Sequence, residues 1–190
     1  MQRVFLDTNI WIDYLWQNRA KRPDKTRNQY SSNIISLLEG NSEYEIVFTV
    51  FLISEISAHL RDWYLLRKII ADGFSYREFA TQRKNYRLTD AEKEEIDAQI
   101  LSISEAKDNV NTLSPENLSS SEIEEVLRLE AEFDIGFYDA LHIHTASKSK
   151  CNFFVTKDEA LRKAMSKLNQ SKIIDVQCLP PKSFVTQLKR

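Results

Sequence analysis

The feature that most restricts the fold of this chain is the alternation of short apolar runs with long helical patterns. The runs lie at 3–6, 45–49, 152–156 and 173–176, and each reads as a strand. Helical spacing covers about 9–17, 29–40, 50–71, 136–149 and 157–168, with Gly40 suited to close the second of these. Strands that alternate with helices build parallel sheets, because parallel neighbours need crossover connections. Three glycines and four prolines among 190 residues argue against a turn-rich all-β fold and against disorder. Between about 75 and 133 the pattern is helical throughout, as in SSSEIEEVLRLEAEF, where a capping serine precedes apolar residues spaced by three and four. The expectation is an α/β fold with a helical insertion at about 75–133, in a chain of a length that suits one domain, 1–190.

Charge divides along the same line. From 90 to 134, fourteen acids stand against Lys93, Lys107 and Arg128, although the whole chain has a net charge of only −2. Outside the insertion the chain is therefore basic, with clusters at 19–27, 61–87 and 148–172, which suits either solvated helix faces or a polyanionic partner. No apolar stretch is long enough to span a bilayer, and Asp7 interrupts the N-terminal run before it forms a secretory pattern. Cys151 and Cys178 are too few for a disulfide framework and too far apart for a metal knuckle, so they read as small core residues. A soluble, cytoplasmic protein is expected.

Asp7 closes the first apolar run, in VFLDTNIWIDYL. Asp, Thr and Asn all cap helices well, so Asp7 reads as the start of a helix. It reads equally as a functional group at the carboxyl end of a strand, where parallel sheets collect their chemistry. Three further acids favour the second reading. Glu55 lies early in the helix after the second run, Asp158 follows the third run, and Asp139 sits in the first turn of the helix at 136–149. Glu55 alone reads as a solvated glutamate and Asp158 alone as a cap, but Asp139 stands among Phe137, Tyr138, Ala140 and Leu141, a poor place for a bare charge. If the four converge, repulsion dominates, since two unit charges ~4 Å apart interact by roughly 4 kcal/mol at an effective dielectric near 20. Either some carboxyls take up protons or a divalent cation sits among them. Oxygen ligands alone favour Mg²⁺ or Mn²⁺, and such a site suits phosphodiester hydrolysis.

In order along the chain, FLDTNIWIDYL, ISEI, FYDALHIHTA and FFVTKDEAL resemble the acidic motifs of PIN-domain ribonucleases, the family that includes VapC-type toxins. The resemblance covers about 1–60 and 134–176. It implies that Asp7, Glu55, Asp139 and Asp158 form a catalytic metal site and that Asn9 and Thr156 orient those carboxylates. It also implies a three-layer α/β/α sandwich, dependence on Mg²⁺ or Mn²⁺, RNA as substrate, homodimers, and a small antitoxin protein as partner. Two departures stand out: the stretch between Glu55 and Asp139 is longer than in the compact toxins, and Leu161 occupies a position where the family often has an aromatic.

The remaining polar residues carry weaker signals. Asp13 reads as an exposed helix acid and His59 carries none. His142 and His144, two apart on a helix, point about 200° from each other and cannot grip one ion, although His142 shares a face with Asp139. The segment YREFATQRKNYR interleaves Tyr76, Phe79 and Tyr86 with Arg77, Arg83, Lys84 and Arg87, which suits unpaired RNA or an ordinary amphipathic helix. Three other functions compete with a ribonuclease. A haloacid-dehalogenase-like phosphatase needs a second acid where this chain has Asn9, a catalytically inactive relative would bind RNA or protein through the same fold, and a structure-specific DNA nuclease would use the same acids.

Overall fold

The computed structural model describes residues 1–17, 29–114 and 118–189. The basic cluster at 19–27 lies outside the described residues. The chain forms β1 (Gln2–Leu6), α1 (Thr8–Gln17), α2 (Gln29–Leu38), β2 (Tyr44–Val47) and α3 (Val50–Ala71). A single-turn helix, α4 (Phe79–Gln82), follows between two 3₁₀ turns, and then come α5 (Asp90–Asp108), β3 (Thr112–Leu113), α6 (Ser120–Phe133) and α7 (Phe137–Lys148). The chain continues through β4 (Phe153–Val155), α8 (Glu159–Gln170), β5 (Gln177–Leu179) and α9 (Pro181–Leu188). The strands form one sheet in the order β3-β2-β1-β4-β5, parallel at every pairing among the described residues.

Alternation along each strand sends successive side chains to opposite faces, and each face is covered. Val4, Leu6, Ile46, Phe153 and Val155 pack against Trp11 of α1, Ile34 and Ile35 of α2, Leu52 and Ile56 of α3, Ile103 of α5 and Phe184 of α9. Phe5, Val47 and Phe154 pack on the other face against Val126 of α6, Leu141 and Ile143 of α7, and Leu161 and Met165 of α8. The result is the three-layer α/β/α sandwich. β3 divides the acidic stretch, so that α5 lies in one layer and α6 in the other, each burying an apolar stripe.

Three parts of the sequence reading need correction. The run at 173–176 is not a strand: Ile174 and Val176 are buried, but the backbone of Val176 is held by the Asn169 side chain, which donates to its carbonyl (2.9 Å) and accepts from its amide (3.2 Å). Ladder pairing starts only at Gln177, opposite Phe153. The stretch 75–133 is not helical throughout, because Thr112 and Leu113 pair with Ile46 and Val47. Two residues are too few to show a period of two, which is why β3 left no trace in the pattern. The segment 76–85 is also not one amphipathic helix but three short turns on the surface, with Tyr76 72% exposed.

Phe154 sits at the centre of the second core, fully buried and stacked on Phe5 with ring centroids 5.2 Å apart. Phe154→Ala is expected to destabilise the protein by about 3–5 kcal/mol, read as a lower midpoint in urea denaturation followed by circular dichroism.

Candidate active site

The strand order explains why distant acids meet. β1 is central, with β2 on one side and β4 on the other, and the chain leaves it for the β2 side before crossing to β4. In parallel sheets the crevice at such a reversal, beyond the carboxyl ends of the strands, is where ligands bind. The residues after β1, β2 and β4 all open there.

Asp7 follows β1 directly, its amide bonded to the Val155 carbonyl of β4 at 3.0 Å, and it is buried. Its carboxylate is held from both ends. Oδ1 accepts from the Thr8 amide at 2.8 Å, while Oδ2 accepts from Asn9 Nδ2 at 2.5 Å and Thr156 Oγ1 at 2.6 Å. Asn9 Nδ2 also donates to Thr156 Oγ1 at 2.9 Å, and its Oδ1 accepts from the Lys157 amide at 3.2 Å. Thr156 Oγ1 in turn accepts from the Asp158 amide at 2.9 Å. The turn after β1 and the turn after β4 are thus stitched together through Asn9 and Thr156, and Asp7 is fixed at the seam.

Glu55 projects from the second turn of α3, whose N-terminus Thr49 caps by accepting from the Leu52 amide at 3.2 Å. It accepts a hydrogen bond from Thr8 Oγ1 and lies 3.8 Å from His59 Nε2. Burial pushes its carboxyl upward, but hydrogen bonds from His59 and Thr8 and the charge of His142 outweigh it and hold the group below its ordinary value. The same contact with Glu55 holds His59 above its ordinary value, so a histidine without a sequence signal touches a candidate site acid.

Asp139 lies in the first turn of α7, and Asp158 caps α8 by accepting from the Leu161 amide at 2.9 Å. The two line one cleft of about 650 Å³, which also takes in Gly136, Lys163 and Lys167. A Cβ on Gly136 would come within 3.4 Å of Asp139 Oδ2, so glycine leaves room for that carboxylate. Burial, above all, pushes Asp139 up to about 6, and the charges of Asp7, Glu55 and Asp158 push the same way against the opposing His142. All three other candidate acids thus act on Asp139.

Among the described residues, no three His, Cys, Asp or Glu side chains close on one point as a ready metal cage. Asp139 and Asp158 share a cleft, and the charges of Asp7 and Glu55 act on Asp139. That arrangement fits a hard cation such as Mg²⁺, which keeps several waters and takes one or two carboxylates directly, better than zinc in a closed site. Asp7, Glu55, Asp139 and Asp158 are the residues that could hold it.

Several residues differ from their sequence reading. Asp13 is not exposed but 4% exposed, and it pairs at 2.6 Å with the Nζ of Lys157, between Thr156 and Asp158. Its position three residues after the buried Ile10, on the inward face of α1, was the available signal. His142 and His144 do part company, as their spacing requires: His142 faces Asp7 and Glu55, and His144 faces Glu125 at 3.6 Å. Cys151 is buried and Cys178 half-buried, and burial pushes both thiols up to about 12, leaving them unreactive. Among the described residues, no side chain of the 76–87 cluster is bonded to a candidate acid. Arg83 pairs with Asp62 at 2.9 Å, Arg87 donates to the carbonyls of Lys84 and Tyr86, and Tyr86 donates to Asp72. Tyr76 and Phe79 line a separate groove of about 350 Å³ with Trp16, Trp63 and His59.

A family model for the PIN domain matches residues 4–166. The chain belongs to the PIN-domain family. PIN domains are generally nucleases that use divalent metal ions, in keeping with the open carboxylate crevice. No curated protein sequence matches the chain. Among solved structures it is similar to VapBC2 from Rickettsia felis bound to a DNA fragment from their promoter, at 15% identity and a TM-score of 0.48, over 94% of this chain and 98% of that one. No helix among the described residues is long and apolar enough to cross a membrane.

The raised Asp139 carboxyl gives this PIN domain a stability signature. Asp139 titrates near 3.8 in the unfolded chain and about 6 in the fold, so between these values the folded protein keeps a proton the unfolded chain has lost. The contribution of this group to stability is full below the lower value and is lost as pH rises through the higher one. In EDTA, thermal melts of the wild type are expected to lose stability across that window relative to Asp139→Asn, and equal pH profiles would show that the acids do not share a field.

Proposed function

We propose that the protein is a Mg²⁺- or Mn²⁺-dependent endoribonuclease that hydrolyses RNA phosphodiester bonds at the crevice of Asp7, Glu55, Asp139 and Asp158. The observation that carries this reading is the Asp139 carboxyl, held up to about 6 by burial and by the charges of the other three acids. Burial and the neighbouring acids both disfavour the charged form of Asp139, and a cation, which these four acids would hold, would offset both. When bound, the cation supplies charge to offset that of the phosphate oxygens and acidity to activate water. The protein's own part is orientation. Thr8, Asn9 and Thr156 hold Asp7 from three directions, and Thr8 also holds Glu55, so neither carboxylate must be ordered when substrate arrives.

RNA as the substrate is favoured by the motif resemblance and by the basic surface at 76–87 beyond His59. In that cluster Arg77, Lys84 and Arg87 are exposed cations without an ion pair among the described residues, Arg87 being held by two backbone carbonyls, while Arg83 is committed to Asp62. A toxin role, with a small antitoxin protein as inhibitor, belongs to the same reading and rests on the motifs alone.

Purified protein is expected to cleave total RNA with Mg²⁺ or Mn²⁺ and to stop in EDTA, and Asp7→Asn should lower the rate by about a hundredfold or more. Undiminished cleavage after rigorous metal removal would overturn the reading; metal-dependent cleavage of DNA but not RNA would move it to a DNA nuclease. Replacing Arg77 and Lys84 together by alanine should weaken RNA binding and reduce the slope of log affinity against log salt by about 1.4 for single strands. An unchanged slope in a salt titration would place the RNA on another face.

A further inference from the structure

His142 lies in α7 one turn beyond Asp139, and its imidazole is completely buried. The ring packs against Phe5, with centroids 5.1 Å apart. Among the described residues, neither ring nitrogen has a hydrogen-bond partner. Buried polar groups in folded proteins are nearly always partnered, and a leucine or phenylalanine would fill such a place at less cost. The nitrogens do, however, face two specific oxygens. Nδ1 is 3.7 Å from Asp7 Oδ1, and Nε2 is 3.5 Å from Glu55 Oε2.

Those are the two oxygens that Thr8 addresses, through its amide to Asp7 Oδ1 and its hydroxyl to Glu55 Oε2. Two residues from different elements, one on the turn after β1 and one on α7, therefore meet the same pair of carboxylate oxygens. Thr8 is already bonded to both, and His142 stands a few tenths of an ångström beyond bonding distance. A small movement of either carboxylate toward the ring completes a bond, whereas a larger one collides with it.

We infer that His142 is a positioning residue, closing with Thr8 a clamp that sets the separation of Asp7 and Glu55 and thereby the affinity of the crevice for its cation. The inference rests on the metal-dependent reading of the site. It assigns His142 no contact with substrate or cation. Its effect passes through the two carboxylates.

Substitutions at this one position separate a clamp from a core filler. His142→Leu keeps an apolar side chain of similar bulk and removes both nitrogens. His142→Asn leaves an amide near the Nδ1 position, facing Asp7, and His142→Gln leaves one near the Nε2 position, facing Glu55. Mn²⁺ affinity of the full chain is measured by calorimetry, beside thermal melts in EDTA. A clamp predicts that leucine weakens Mn²⁺ binding by about tenfold or more without lowering the metal-free melting temperature, and that at least one amide variant recovers much of the loss. If leucine does not fold, His142→Met takes its place in the same comparison. Equal loss in the apolar and amide variants, or wild-type affinity in the apolar one, overturns the inference while leaving the nuclease reading intact. If the wild type binds no Mn²⁺ at millimolar concentrations, both fall together.

Discussion

The fixing of Asp7 at the seam of two turns, beside a half-buried Asp139 whose carboxyl is pushed up by burial and by its acidic neighbours, is the constraint to which the rest of this structure answers. A carboxylate drawn out of water beside like charges destabilises a fold that is stable by only about 5–15 kcal/mol. The protein meets the difficulty with rigidity. Asp7 is the first residue past the central strand, so it cannot withdraw without breaking its amide bond to Val155. Asn9 and Thr156 then close a network in which every donor and acceptor named has a partner, across two turns separated by almost the whole chain. The three apolar layers supply the stiffness that lets these bonds persist, and the strand order supplies the crevice.

The central sheet could be read from sequence because its strands carry a strong local signal, and the acids stood out through their order along the chain, Glu55 and Asp158 being ordinary by themselves. Val4 to Leu6, Ile46 to Phe48 and Phe153 to Val155 are apolar on both faces, as strands covered by helices must be. An acid directly after such a run has few structural explanations. The parts that escaped are those whose cause is tertiary. β3 exists because the edge of β2 is available to Thr112 and Leu113, not because two residues show a pattern. The fourth apolar run failed as a strand because Asn169, seven residues before Val176, had already taken the backbone groups a ladder needs.

The same distinction holds within the site. Asn9 and Thr156 were legible through motif position, and both hold Asp7. Asp13 and Lys157 were not, since an acid in a helix and a lysine in a turn are individually ordinary and become an ion pair, with Asp13 buried, only when α1 and the turn after β4 are adjacent. His59 was missed for a similar reason: its partner Glu55 lies one helical turn away, but the sequence does not show that the pair faces the crevice. The basic segment 76–87 was read as a chemical unit, yet folding divides its cations between internal pairs and solvent.

The shortness of the outer strands has a further consequence. β3 has two residues and β5 three, so the unpaired backbone at either margin of the sheet is brief. A long bare margin is a template on which another chain can add a strand, and it invites aggregation or exchange of strands between copies. Among the described residues that template is nearly missing. The surface that the described residues offer to a macromolecule is made mainly of side chains on helices and loops rather than of open strand edges.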